Sequence, residues 1–169
     1  SEVEKRLMLG NSIEKIDGVN QLVDIKKFHL DRIKSLFDID YISKRLKKMK
    51  LRIFVDSMHG SAANCMAEIF ASNDLEVISE IRKDADPFFG GKPPEPLLNY
   101  ADDLKQILMK NSTNEVKTLG IIFDGDGDRI AAIDEKGRYS STQDLLPYFI
   151  SYLGEIKNNS YPVLKTVSG

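Results

Sequence analysis

Three aspartates at alternate positions, Asp124, Asp126 and Asp128, stand between two apolar runs in the stretch Phe123-Asp124-Gly125-Asp126-Gly127-Asp128-Arg129. No other feature of the sequence restricts the fold as much. The flanking runs, 120–123 and 130–133, have the length and Ile content of strands, so the acidic segment is a tight turn between two of them. Gly125 and Gly127 permit such a turn, and the carboxylates then converge on a small volume. Like charges held that close repel unless a cation sits among them, and hard oxygen donors suit a divalent ion. The turn also leaves the C-terminal end of a strand, where open α/β sheets place their ligands.

Arg129 adds a second requirement. A guanidinium beside a metal site is electrostatically awkward unless an anion lies between, and Arg with Mg2+ is a common pair for clamping a phosphoryl group. The segment therefore predicts a phosphate ligand as well as a metal. A calcium-binding module is the first rival, because counting from Asp124 puts acidic residues at positions 1, 3 and 5 and Glu135 at position 12 of an EF-hand loop. Its sixth position, however, is Arg129 where Gly is needed, and the flanks read as strands where helices are needed.

The rest of the chain places this turn in a layered α/β domain. From Leu51 onward strands and helices alternate: a strand at 51–56, a helix at 62–72, a strand at 75–81, a helix carrying Leu97, Ala101, Leu104 and Leu108, then strands at 119–124 and 130–134. The Glu135-Lys136-Gly137 turn leads into Arg138 and Tyr139, which predicts local antiparallel pairing and a mixed sheet of four strands. A last helix begins at Ser141 to Asp144, a capping-box spacing, with Pro147 acceptable in its first turn, and runs to about Leu153. Residues 1–50 read as a helical connector. Asp17-Gly18 marks a turn, Ile25, Phe28, Ile33, Leu36 and Phe37 form one apolar face, and Asp40 caps a short helix whose lysines and arginines form a solvated face.

Composition bounds the function classes. A chain of 169 residues with 41% hydrophobic and 30% charged residues is a globular domain, with pieces of neighbours at its ends. No run approaches the roughly 20 apolar residues of a spanning helix, which argues against a membrane protein. A net charge of −2 lacks the basic footprint of a nucleic-acid binder. The single cysteine, Cys65, excludes an internal disulfide, fits a reducing cytoplasm and reads as a buried thiol. His59 reads as a turn residue and His29 as part of a charged helix. Gly90-Gly91-Lys92 is followed by Pro93 where a phosphate loop needs Ser or Thr, so it reads as a rigid connector. Val163, Leu164 and Val167 resemble the opening of a further strand.

With these residues in hand, the sequence resembles the α-D-phosphohexomutases, the family of phosphoglucomutase, phosphomannomutase and phosphoglucosamine mutase. The segment from Phe123 to Arg129 looks like that family's metal-binding loop. Ile53-Phe54-Val55-Asp56-Ser57-Met58-His59-Gly60 is similar to the strand and turn that open its second domain, and Asp86-Pro87-Phe88-Phe89-Gly90-Gly91-Lys92-Pro93-Pro94-Glu95-Pro96 to its proline-rich loop. The resemblance implies a three-layer α/β/α domain with a four-stranded mixed sheet. It divides the chain into a connector from the end of domain 1 (1–50), the metal-binding domain 2 (51–157), and a linker with the truncated start of domain 3 (158–169).

Chemically, the resemblance implies reversible phosphate transfer between the 1- and 6-hydroxyls of a hexose, through a bisphosphorylated sugar and a phosphoserine enzyme. Asp124, Asp126 and Asp128 would hold Mg2+ and Arg129 would help hold the phosphoryl group, with phosphorylated hexose and the remaining domains of the same polypeptide as partners. The family's Thr-Ala-Ser-His-Asn-Pro type serine loop, its sugar-reading loop and its phosphate-anchoring loop have no counterpart in these residues. The chain alone is therefore expected to be inactive. A second rival, a haloacid-dehalogenase-like phosphatase, would need Thr or Val where Asp128 stands.

Overall fold

The computed structural model describes residues 2–10, 18, 22–71 and 78–164. Among these, five strands form one sheet: β1 (Leu51–Asp56), β2 (Ile78–Ile81), β3 (Lys117–Phe123), β4 (Ile130–Asp134) and β5 (Tyr139–Ser140), in the order β2-β1-β3-β4-β5. The first three run parallel, with Ile53 opposite both Ile78 and Leu119, and the last two join antiparallel, with Phe123 opposite Ile130. The expected mixed sheet is present with one strand more than the four anticipated. The addition is the two-residue β5, where Tyr139 pairs with Ile133 after the Gly137 turn. Two residues are too few for a period-2 pattern to register as a strand.

The described residues also form six α-helices: α1 (Glu2–Met8), α2 (Ile25–Leu36), α3 (Ile39–Lys48), α4 (Cys65–Phe70), α5 (Asp102–Asn111) and α6 (Thr142–Ser151). The strands alternate their side chains between two cores, which makes the layers α/β/α. Phe54, Ile122, Ala131 and Ile133 pack with Leu104 and Leu108 of α5. Ile53 and Val55 pack on the opposite face with Leu30 of α2, Leu46 of α3 and Ile69 and Phe70 of α4. Each Val, Leu, Ile or Phe among them taken fully from water contributes roughly 1.5–3 kcal/mol. Helix α3 thus lies against β1, while α2 packs on α4 and adds Leu30 to the same core.

Several local expectations change. The buried stripe of α2 is Leu30 with half-buried Ile33, while Ile25, Phe28, Leu36 and Phe37 are exposed. Helical periodicity puts Ile25, Phe28 and Leu36 on the side away from Leu30, and Phe37 is already in the extended cap. Asp38, not Asp40, caps α3, accepting from Tyr41 N at 2.8 Å. Helix α4 begins only at Cys65, because Asn64 is left-handed with φ +62°. In α6 the capping box of Ser141 and Asp144 is present, but Pro147 sits in the second turn. Thr142 Oγ1, which donates to Ile130 O at 2.6 Å, helps fix the start of this helix. Residues 75–77, Asp17 and Val167, each assigned a place by the sequence, lie outside the described residues.

Candidate metal centre

Because β1, β2 and β3 are parallel neighbours, their C-terminal ends open side by side at one edge of the sheet, and the loops that follow meet there. Asp124 is the first residue beyond β3 and is 1% exposed. Its Oδ1 accepts from Gly127 N and Arg129 N, each at 3.0 Å, and its Oδ2 accepts from Arg129 Nε at 2.7 Å. Gly127, at φ +81°, makes the reversal that brings these donors back. Burial alone would raise the Asp124 carboxyl, but the backbone and guanidinium of Arg129 outweigh it and hold the group below the usual carboxylate range. Three of about four lone-pair positions are then used, leaving one on Oδ2.

Asp126 and Asp128 project from the same turn and are exposed. One ligand oxygen from each of Asp124, Asp126 and Asp128 lies within 4.8 Å of the others. Asp128 is pushed above the usual range, chiefly by the charge of Asp126 and then by burial and Asp124. This is the repulsion anticipated from the spacing. Adjacent oxygens around an octahedral Mg2+ are about 3 Å apart. The two exposed aspartates can turn inward to that spacing while Asp124 stays fixed, so three hard donors on one anchored corner fit the ion. Glu135 cannot join them: β4 carries it to the opposite end of the sheet, past Asp134, which pairs with Leu119. The EF-hand alternative loses its twelfth ligand.

Arg129 is half exposed, with Nε committed to Asp124 and Asp128 Oδ1 at 3.9 Å. Among the described residues its two Nη groups donate to no protein acceptor, so both are open to an anion. The other sequence candidates lie elsewhere in the architecture. His59 is a turn residue, donating from Nδ1 to Asp84 O at 2.7 Å. His29 lies in α2 beside an apolar groove that runs between α2 and α4 up to Asp126 and Gly127. Cys65 is half-buried, and burial pushes its thiol up, away from a reactive thiolate.

Two loops that sequence reasoning left without a role touch the acidic turn directly. Ser61 N donates to Gly125 O at 2.9 Å, and Gly125 N donates to Pro94 O at 3.0 Å. A Cβ on Gly60 would stand 2.4 Å from Gly125 O, so only glycine fits. The Pro-rich run 86–96 was visible as a motif, but its contact with Gly125 depends on strand order and has no local signal.

A family profile described as "Phosphoglucomutase/phosphomannomutase, alpha/beta/alpha domain II" matches residues 27–137. The chain is 29% identical over 165 residues to the phosphoglucosamine mutase of Methanococcus vannielii, covering 98% of this chain and 35% of that protein. It is 28% identical over 141 residues to phosphoglucomutase 1 of Drosophila melanogaster, covering 80% and 24% respectively. Among solved structures, a phosphoglucomutase/phosphomannomutase family protein from Burkholderia thailandensis superposes with a TM-score of 0.69 at 23% identity, over 92% of this chain and 31% of that one. The chain spans about a quarter to a third of the length of the curated relatives it matches.

Proposed function

Because the chain belongs to the phosphoglucomutase/phosphomannomutase family through its α/β/α domain II, we propose that it supplies the Mg2+ site of a phosphohexomutase. The parent polypeptide would interconvert hexose 1-phosphate and hexose 6-phosphate through a phosphoserine enzyme and a bisphosphorylated sugar. The observation that carries this reading is the convergence of Asp124, Asp126 and Asp128 beside an arginine with free Nη groups, at the ligand-binding edge of the sheet. In this reading 51–157 would carry the strands of the domain, with α2 and α3 of the 1–50 segment adding to its core, and 1–50 and 158–169 would lead to its neighbours. The sugar phosphate and the single unpaired thiol suit the cytoplasm.

Asp124, Asp126 and Asp128 would hold Mg2+, which would supply charge neutralisation for a phosphoryl group. Asp124 stays ionised and immobile. Arg129 holds Asp124 with Nε while its planar fork presents both Nη groups to phosphate oxygens, which a lysine cannot do. Asp126 and Asp128, both exposed, would complete the donor set around the ion. Phosphoryl transfer has a loose transition state, so positioning and charge are the main work asked of such a domain.

The serine, sugar-reading and phosphate-anchoring loops of the family are not in these residues, so the chain alone has no group on which phosphate can reside. A coupled assay with glucose 1-phosphate, Mg2+ and a bisphosphate activator tests this. The 169-residue chain should show no turnover, and a polypeptide extended to restore those loops should recover it. Turnover by the short chain, freed of host enzyme, would overturn the proposal.

A further inference from the structure

Gly125 sits between two of the three aspartates, and neither of its backbone polar groups is left to solvent. Its carbonyl accepts from Ser61 N at 2.9 Å on one side, and its N–H donates to Pro94 O at 3.0 Å on the other. Space is as restricted as bonding. A Cβ at position 125 would meet Pro94 Cγ at 2.9 Å and Phe89 Cε1 at 3.1 Å. The acidic turn is thus gripped by the loop after β1 and by the Pro-rich loop after β2. The grip falls on the residue that sets the spacing from Asp124 to Asp126.

The Pro-rich loop is itself organised by one side chain. Asp86 Oδ1 accepts from Phe88 N and Oδ2 from Gly90 N, both at 2.9 Å, while its carbonyl accepts from Phe89 N at 3.0 Å. Its own N–H donates to His59 O at 3.3 Å, which ties this loop to the one bearing Gly60. Phe89 is held at φ +52°, a conformation a bulky side chain rarely adopts and one that persists only where surroundings over-determine it. Here those surroundings are the Asp86 turn on one side and Gly125 on the other.

We infer that Asp86 is a positioning residue for the metal centre, acting through Phe89 and Pro94 to hold Gly125 and so to fix where Asp124 and Asp126 present their oxygens. The inference rests on the metal reading of the three aspartates. It gives the proline-rich run a mechanical purpose: a stiff loop transmits one carboxylate's turn to a site on another strand.

The test uses the 169-residue chain with two readouts, amide hydrogen exchange by NMR and titration with Mn2+ in saturating inorganic phosphate. Asp86→Ala should speed exchange of the Gly125, Gly127 and Arg129 amides about tenfold or more, with the Leu104 and Leu108 amides of α5 unchanged. Mn2+ binding should weaken about tenfold, the usual scale for an outer-shell support. Asp86→Asn keeps one acceptor and should give an intermediate result. Gly60→Ala, which pushes a methyl into Gly125 O, should reproduce the Asp86→Ala pattern. Wild-type exchange in the acidic turn of Asp86→Ala would overturn the inference, as would equal acceleration in α5. If Asp86→Ala fails to fold, Asp86→Asn decides by the same criteria, with Gly60→Ala as the control that shows what loosening Gly125 does. A wild-type chain that takes up no Mn2+ would instead sink the metal reading, with the exchange rates still deciding whether Asp86 holds the loop.

Discussion

The turn after β3 and the turn after β4 are closed by the same device. In the first, Asp124 Oδ1 accepts two backbone N–H groups, one of them from Arg129, and Oδ2 accepts Arg129 Nε. In the second, Asp134 Oδ1 accepts from Lys136 N and Arg138 N at 2.9 Å, and Oδ2 from Arg138 Nε at 2.5 Å. An aspartate clasped by an arginine is therefore a way to end a strand, and by itself marks no site. Three things separate the two turns. Asp124 is 1% exposed and its counterpart Asp134 25% by side chain. Only the first turn carries two further carboxylates, and only the first lies where β1 and β2 also end, with Gly125 gripped by both of their loops. In the proposed reading Arg129 has two duties, and the clasp to Asp124 is the one it shares with Arg138.

The largest effect that separates the turns is on turnover. In a full-length polypeptide carrying these sequences, Asp126→Asn should lower turnover by about two orders of magnitude or more, since one lost carboxylate weakens the ion that offsets transferring charge. Asp134→Asn should leave turnover close to wild type. Steady-state kinetics on the pair checks this, and equal losses would erase the distinction.

The contrast was half legible in the sequence. The acidic turn was evident because its chemistry is contiguous: three aspartates, two glycines and an arginine in seven residues between strong apolar runs. Strands β1, β3 and β4 were evident for the same reason, since their runs are long enough for composition to decide. What the sequence hid was everything that depends on strand order. Gly60, Phe89 and Pro94 meet Gly125 because three parallel strands end together, and nothing near those residues announces it. The exposure of Phe28 and Leu36 was hidden likewise, as an apolar position on a helix does not say which side the sheet will take. The Asp134 clasp went unnoticed because Asp and Arg at a turn are ordinary.

A smaller effect belongs to the second turn and depends on pH. Burial would raise the Asp134 carboxyl, but the Arg138 backbone and guanidinium and the Lys136 N–H outweigh it and hold the group below its ordinary range. A depressed folded-state value means stability that is present above the unfolded value, about 3.9, and lost as pH falls through the folded value. Asp134→Asn should therefore cost at most about 1 kcal/mol at pH 6, given the exposed partner, and the difference should shrink and vanish as pH falls through the depressed folded value. Thermal melts from pH 2.5 to 7 read the difference, and a gap that widens toward acid would contradict the assignment.

The most direct test of the account is an NMR titration of the isotopically labelled chain with Mg2+, with and without inorganic phosphate. The Gly125, Gly127 and Arg129 amides report on the first turn and the Gly137 amide on the second. Shifts should be confined to the first turn, with weak binding by Mg2+ alone. Phosphate should tighten that binding about fivefold or more, because the three carboxylates leave an octahedral set incomplete and Arg129 awaits an anion. Tight Mg2+ binding without phosphate, a strong preference for Ca2+, or equal shifts at Gly137 would contradict it.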